Sequence, residues 1–246
     1  MSETEFDEPR LAAILDALDP VRSDLDAYVA MIDEFGARSV LDLGSGTGIF
    51  ALLLADRGMA VIGVEPAAAS LDVARAKPGA DRVTWIHGDA LAIPPGVTVD
   101  AVTMTANVAQ VFVTDAEWSS MLAAVHAALR PGGRLIFETR DPACRAWEGW
   151  TEELTRNTTD IPRVGRVTDW VQVTDVVDDG ELVTFESPNI FEADGAVIIA
   201  RSTLRFRSRA AIEASLVACG FVVDEVRDAP DRPGRELVFI ARRVAR

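Results

Sequence analysis

The residues predict an α/β fold: a doubly wound, mostly parallel sheet with an antiparallel last strand, plus a small antiparallel β insertion. Three features carry this expectation. Between residues 38 and 140, short apolar runs alternate with segments of helical length, and such connections produce right-handed crossovers and parallel strands covered on both faces. After residue 140 the pattern turns to period-two strands broken by tight-turn residues. The last two apolar runs, 221–226 and 236–241, have no helix pattern between them, so they form a hairpin that places one antiparallel strand in the sheet.

Taken in order, Leu11, Ile14, Leu15 and Leu18 recur at three- and four-residue spacing, as do Leu25, Val29, Ile32 and Phe35 after the Asp19-Pro20 break. Residues 1–36 therefore supply two short amphipathic helices before the first strand. That strand covers 39–43, followed by a helix over 49–57, a strand over 60–64, a helix over 67–76, and strands over 82–86 and 100–104. A helix over 115–129 stops at Pro131-Gly132-Gly133, and a fifth strand follows over 134–138. The insertion occupies 141–207. Its strands, within 166–207, join as a meander at Asp178-Asp179-Gly180 and Ala193-Asp194-Gly195, both tight-hairpin signals. A helix over 208–218, stopped by Gly220, returns the chain to the sheet. No repeat and no Ser-, Gly- or Pro-rich linker divides the chain, so residues 1–246 read as a single domain.

Composition narrows the function. The chain has 246 residues, 49% apolar and 26% charged, enough for one large core. It carries 24 basic against 39 acidic residues, a net charge of −15, which argues against the phosphate neutralisation that nucleic-acid binding needs. Two cysteines, Cys144 and Cys219, make neither a disulfide framework nor a metal cluster, and a reducing, cytoplasmic setting fits. The apolar runs fall short of the roughly 20 residues that span a bilayer. The acidic start Met1-Ser2-Glu3-Thr4-Glu5 lacks the basic and apolar regions of a signal peptide, so no membrane partner is expected.

The most informative segment is Val40-Leu41-Asp42-Leu43-Gly44-Ser45-Gly46-Thr47-Gly48, between a strand and a helix. Glycines serve where backbone takes positive φ or must approach a ligand, and the helix behind offers unpaired N–H groups to an anion. A tight strand-to-helix turn would also account for them. The next strand ends at Glu65-Pro66, about 20 residues on, where a carboxylate in such folds accepts from ribose hydroxyls. A dinucleotide loop would have Gly or Ala at the position of Ile49, so a nicotinamide enzyme fits less well.

The ordered set Leu41-Asp42-Leu43-Gly44-Ser45-Gly46-Thr47-Gly48, Gly63-Val64-Glu65-Pro66, His87-Gly88-Asp89-Ala90, Asp100-Ala101-Val102-Thr103-Met104 and Leu129-Arg130-Pro131-Gly132-Gly133-Arg134-Leu135 resembles the S-adenosylmethionine-dependent methyltransferases of Rossmann-like fold, over roughly residues 38–140. The resemblance implies S-adenosylmethionine as cofactor and S-adenosylhomocysteine as product. It implies that Asp42 and the loop residues Gly44, Ser45, Gly46 and Gly48 hold the methionine end, Glu65 with the adjoining Pro66 the ribose, and Asp89 with the Ala90 amide the adenine edge. Each carboxylate also has a structural alternative: Asp42 bonding loop amides, Asp89 capping the turn before Leu91, Glu65 solvated at a strand end. Asn107, after the fourth strand, either contacts the methionine portion and lines the acceptor pocket or is a turn residue.

In related small-molecule methyltransferases an antiparallel insertion after the fifth strand walls the acceptor site. The resemblance therefore implies a small-molecule acceptor methylated on nitrogen or oxygen, with residues 141–207 as lid. Arg140 and Asp141, at the mouth of the fifth strand, are candidates for acceptor contact, and the catalytic residue is not identifiable. On the last inserted strand Ile198, Ala200, Leu204 and Phe206 share one side, and Arg201, Thr203, Arg205 and Arg207 the other, the arginines suiting an anionic acceptor or pairing with neighbouring acids. Trp147, Trp150 and Trp170 are candidate pocket walls or core. His87 and His126 have no metal-ligand spacing, and no metal is expected. Two other classes stay open: a nucleotide-dependent oxidoreductase, and a non-catalytic cofactor-binding module. The oligomeric state is not fixed by the residues, with a homodimer among the alternatives.

Overall fold

The computed structural model describes residues 4–244; the acidic Met1-Ser2-Glu3 lies outside the described residues. Four helices lead in: α1 (Thr4–Asp7), α2 (Pro9–Ala12), α3 (Leu15–Leu18) and α4 (Leu25–Glu34). The main sheet and its helices follow as β1 (Ser39–Leu43), α5 (Ile49–Asp56), β2 (Ala60–Glu65), α6 (Ala68–Ala76), β3 (Val83–His87), β4 (Val99–Met104), α7 (Asp115–Ala128) and β5 (Leu129–Arg140). A one-turn helix α8 (Glu152–Thr155) precedes the inserted strands β6 (Asn157–Ile161), β7 (Gly165–Asp169), β8 (Gln172–Val177), β9 (Leu182–Phe191) and β10 (Ala196–Arg205). The chain closes with α9 (Arg209–Ala218), β11 (Phe221–Asp228) and β12 (Glu236–Arg243).

The seven strands of the main sheet lie in the order β11-β12-β5-β4-β1-β2-β3. Strands β1 to β5 are parallel, and β12 runs antiparallel to both β5 and β11, as the missing helix between the last two strands requires. Alternate residues of each central strand serve opposite faces. Val40, Ala101, Ile136 and Ile240 pack under α4 and α5 with Leu25, Tyr28, Ile32, Phe50 and Leu54. Leu41, Val102, Phe137 and Phe239 pack under α7 and α9 with Trp118, Leu122, Val125 and Leu216. The start of α7 is set by a capping box, in which the Thr114 hydroxyl accepts from the Glu117 N–H and the Glu117 carboxylate accepts from the Thr114 N–H.

Three expectations need correction. The first amphipathic helix is broken into the single turns α1, α2 and α3, because Pro9 has no N–H to continue α1 and Glu8 instead caps a new turn through the Leu11 amide. Its apolar face is real but turns to the insertion: Leu11 and Ile14 are buried with Ile161, Val167, Phe191 and Ala200. The inserted sheet begins earlier than residue 166, at β6, whose residues Asn157, Thr158, Thr159 and Asp160 carry no apolar alternation and form a strand only by pairing with β7. The hairpins at Asp178–Gly180 and at 193–195 form as expected and join β8, β9 and β10 as a meander, to which β7 adds by pairing with β9. β10 pairs along all of β9, while β7 and β8 succeed each other on the opposite edge. Finally, β5 starts at Leu129, with Pro131-Gly132-Gly133 taken up as an irregularity between the pairs Val99 with Leu129 and Ala101 with Arg134.

Trp85 on β3 fits against two glycines. A Cβ on Gly63 would lie 2.5 Å from its ring and one on Gly48 2.6 Å, while the indole N–H donates to the Ala80 carbonyl at 2.9 Å. Gly63→Ala is expected to lower stability by about 1–3 kcal/mol through overpacking, measured by urea unfolding. In a Trp85→Leu background most of that loss should vanish; an equal loss in both backgrounds would remove Trp85 as its cause.

Candidate functional site

The chain runs from β1 to β2 on one side of the sheet and returns to β4 on the other, so the crevice beyond the carboxyl ends of β1 and β4 is the topological switch point. The glycine loop opens into it. Gly44, Gly46 and Gly48 have φ of 75°, 53° and 81°, a region that side chains rarely occupy. A Cβ on Gly44 would strike Val108 at 2.6 Å, which shows how closely the loop meets the segment after β4; at Gly46 nothing lies within 4 Å, so its bare backbone faces open space.

Glu65 is buried at the end of β2, and each carboxylate oxygen accepts one backbone N–H: Oε2 from Gly46 at 2.7 Å and Oε1 from Ala67 at 2.8 Å. Burial pushes its pKa up, opposed by these two amides. The turn at Pro66 is held by His87, whose Nε2 donates to the Pro66 carbonyl at 3.0 Å. Asp42 is buried and accepts from the Thr103 hydroxyl of β4 at 3.0 Å. Burial, with the charge of Glu65 adding, raises its pKa to about 7. Ser45 Oγ is buried without a hydrogen-bond partner among the described residues. Asp89 is exposed and caps the turn before Leu91, accepting its N–H at 2.8 Å, and Ala90 is buried beside it. Over the loop sits α3, where Asp16 accepts from the Thr47 hydroxyl at 2.5 Å and pairs with Lys77.

A second group adjoins this one. The register Asp42 to Thr103, Thr103 to Ile136, Glu138 to Val238 and Arg140 to Glu236 places Asp42, Glu138, Arg140 and Glu236 on one face of the sheet. Tyr28 of α4 donates to Glu138 Oε2, and the Asn107 N–H donates to Glu138 Oε1 at 3.1 Å. The Asn107 side-chain amide donates to Glu236 Oε1 at 3.2 Å, an atom that also accepts from Arg232 at 2.7 Å. Ala106 and Asn107 both have positive φ, 55° and 61°, so this turn is held in strained backbone. Burial, and then the nearby Glu236, raise the Glu138 pKa, while burial and the Glu138 charge push the Tyr28 phenol far above its ordinary value. Tyr28, Glu138 and Glu236 are functional candidates that the sequence reading missed. The available signals were the chain's single tyrosine, on an apolar helix face, and carboxylates at the buried ends of apolar strands.

Other candidates take structural positions. Arg140 donates to Gln110 at 2.9 Å, lies 4.0 Å from Glu236, and stacks over Trp150 at 5.3 Å. Asp141 accepts from the Ala143 N–H at 2.9 Å and caps the turn Pro142–Cys144. Arg205 pairs with Asp115 and Glu181, and Arg207 is buried against Asp115 and the Thr114 carbonyl, so pairing explains these two arginines. Trp147 is buried against Phe206 at 4.6 Å and Trp150 meets Phe185 at 5.0 Å, both lining an open cleft of about 570 Å³. Trp170 carries Arg156 on its face at 4.9 Å. His126 packs edge-on to Phe221. Among the described residues no group of His, Cys, Asp or Glu could hold a metal ion, and no helix is long and apolar enough to cross a membrane.

Residues 40–133 match the family model described as "Methyltransferase domain". The cypemycin N-terminal methyltransferase of a Streptomyces species is 33% identical over 119 residues, 48% of this chain and 49% of that protein. The chain spans about half the length of the curated relatives it matches. Among solved structures, the CcbJ methyltransferase from Streptomyces caelestis superposes with a TM-score of 0.79 over 100% of both chains at 21% identity. The S-adenosylmethionine-bound amino pentose methyltransferase from Micromonospora echinaspora has a TM-score of 0.70, 25% identity, and covers 94% of this chain and 97% of its own. The segment 40–133 thus matches a methyltransferase domain, and the whole chain has the fold of the CcbJ methyltransferase.

The raised pKa of Asp42 fixes a direction for stability. Its folded-state pKa of about 7 exceeds the ordinary value of 3.8, so the folded state binds the extra proton and gains stability as pH falls. Between pH 8 and 6 this gain is about 1 kcal/mol. Urea titrations at both pH values should show that part of the pH dependence missing in Asp42→Asn; identical slopes in the two proteins would contradict the assignment.

Proposed function

We propose that the chain is an S-adenosylmethionine-dependent methyltransferase acting on a nitrogen or oxygen of a small-molecule acceptor. The observation that carries this reading is Glu65, buried and oriented by the Gly46 and Ala67 amides at the rim of the open side of the glycine loop. Each oxygen has a second lone pair to accept a ribose hydroxyl, and Gly46 leaves the space a ligand needs. Asp42 suits the ammonium of the cofactor: its one recorded bond is from a neutral hydroxyl, so a cation would compensate a buried charge that the chain itself leaves exposed to desolvation. Ser45 Oγ and the loop amides complete that end, and Asp89 with the Ala90 amide offers an acceptor and a donor to the adenine edge.

When bound, the cofactor supplies a methyl group on positively charged sulfur, already activated for displacement. The chain's part is then to align the acceptor and exclude water, an effect of up to about 7–11 kcal/mol. The inserted sheet and the N-terminal helices suit this role. They share one apolar cluster, and α3 reaches the loop through Asp16 and Thr47. Residues 141–207, with α2 and α3 packed on them, are accordingly the lid of a single catalytic domain. The named amino pentose methyltransferase is a relative whose acceptor is a small amino sugar. A nicotinamide enzyme is disfavoured by Ile49 in the loop.

Titration calorimetry with S-adenosylmethionine and S-adenosylhomocysteine tests the reading. Glu65→Ala is expected to weaken binding roughly 10- to 100-fold through loss of charge-assisted hydrogen bonds. Unchanged affinity would sink the ribose assignment. Gly46→Val should fill the open side and abolish binding, and normal binding by a folded Gly46→Val variant would reduce the loop to a turn.

A further inference from the structure

The network around Asn107 contains two buried acceptor atoms that the chain does not satisfy. Asn107 and Glu236 are each 3% exposed and hydrogen-bonded to each other, yet Asn107 Oδ1 and Glu236 Oε2 have no partner among the described residues. Buried acceptors of this kind are costly unless a donor arrives. The same turn joins them to a second buried carboxylate, Glu138, whose two oxygens accept from the neutral donors Tyr28 O–H and Asn107 N–H. The cations nearby serve Glu236: Arg232 lies on its Oε1 and Arg140 at 4.0 Å from the same atom. The sheet register places this group beyond the end of β4, on the last residues of β5 and the first of β12, beside the glycine loop that Val108 touches. A cleft of about 250 Å³ between α4 and the β11–β12 connection is also lined by Tyr28, with Asp24, Glu34, Asp228 and Asp231 and the single cation Arg227 around it, a net negative surround.

An alcohol offers one O–H donor and no charge. An ammonium offers several N–H donors and a positive charge, which matches one vacant amide acceptor and one vacant carboxylate acceptor beside a second buried carboxylate. We propose that the acceptor is an amine that binds as its ammonium ion, with Glu236 Oε2 and Asn107 Oδ1 taking its N–H donors and Glu138, fixed by Tyr28, supplying the second negative charge; one N–H proton then passes to the Glu236 carboxylate, which frees the nitrogen lone pair for methyl transfer. This rests on the methyltransferase reading and narrows its acceptor from nitrogen or oxygen to basic nitrogen. Glu236 and Asn107 are binding residues on this account, and Tyr28 is a positioning residue that acts through Glu138.

The test is calorimetry on protein loaded with S-adenosylhomocysteine, using matched probes: glucosamine and glucose, tryptamine and tryptophol, and a tripeptide with free and with acetylated N-terminus. Pairs that bind should do so through the amine, tighter by at least about tenfold than the uncharged partner. Glu236→Gln and Asn107→Ala should each lose about tenfold in amine affinity while retaining S-adenosylhomocysteine affinity and a cooperative melt. Equal binding of amine and uncharged partner, unchanged amine affinity in both variants, or binding of no amine by protein that holds S-adenosylhomocysteine would each overturn the proposal. Failure of S-adenosylhomocysteine to bind the wild-type chain is a distinct result, which removes the reading beneath it.

Discussion

The carboxylate of Glu65 ties the site together. By accepting from Gly46 on one oxygen and Ala67 on the other, it joins the glycine loop after β1 to the turn after β2. Those two connections lie on one side of the switch point, and their relative position sets the shape of the crevice. A carboxylate buried this deeply is tolerated because it is hydrogen-bonded on both oxygens. The loop itself is shaped from behind: Gly44 yields to Val108 and Gly48 to Trp85, which leaves Gly46 as the position whose missing side chain opens space. Three glycines that look equivalent in the sequence thus do different work, two in packing and one toward the crevice.

Much of the main sheet was legible because its strands are apolar on both faces, and its helices carry clear stop signals at Pro131 and Gly220. Strands β1 to β4 fall within one or two residues of their expected limits. What was illegible depends on distant partners. β6 is a polar strand made by pairing with β7, and the leading helix breaks into turns because its apolar residues answer to the inserted sheet rather than to each other. The Tyr28 and Glu138 contact spans 110 positions, and the Asn107 and Glu236 contact 129, so no local pattern announces either. Asp42 is an intermediate case: its place in the loop motif was evident, but its partner Thr103 lies 61 residues away on β4.

Helices α2 and α3 pack on the insertion and reach the glycine loop. Leu11 and Ile14 share a buried cluster with Phe191 and Val167, Ser70 of α6 donates to the Phe6 carbonyl, and Asp16 holds both Thr47 and Lys77. Contacts of this kind couple the loop to the inserted sheet, so that movement of one must be accommodated by the other. At the carboxyl ends of β1, β2 and β5 lie buried carboxylates whose pKa values are raised by burial, Asp42, Glu65 and Glu138. Their desolvation is compensated only in part by the chain's own donors, a condition that a positively charged ligand relieves.

The central claim is that Glu65 is the ribose acceptor of a bound S-adenosyl ligand. A crystal structure of the complex with S-adenosylhomocysteine tests it most directly. The account requires both ribose hydroxyls within hydrogen-bond reach of the Glu65 carboxylate, with the Gly46 and Ala67 amides still donating to it and the methionine end lying along Gly46 toward Asp42. A ligand seated elsewhere, or one whose ribose leaves Glu65 untouched, would contradict it.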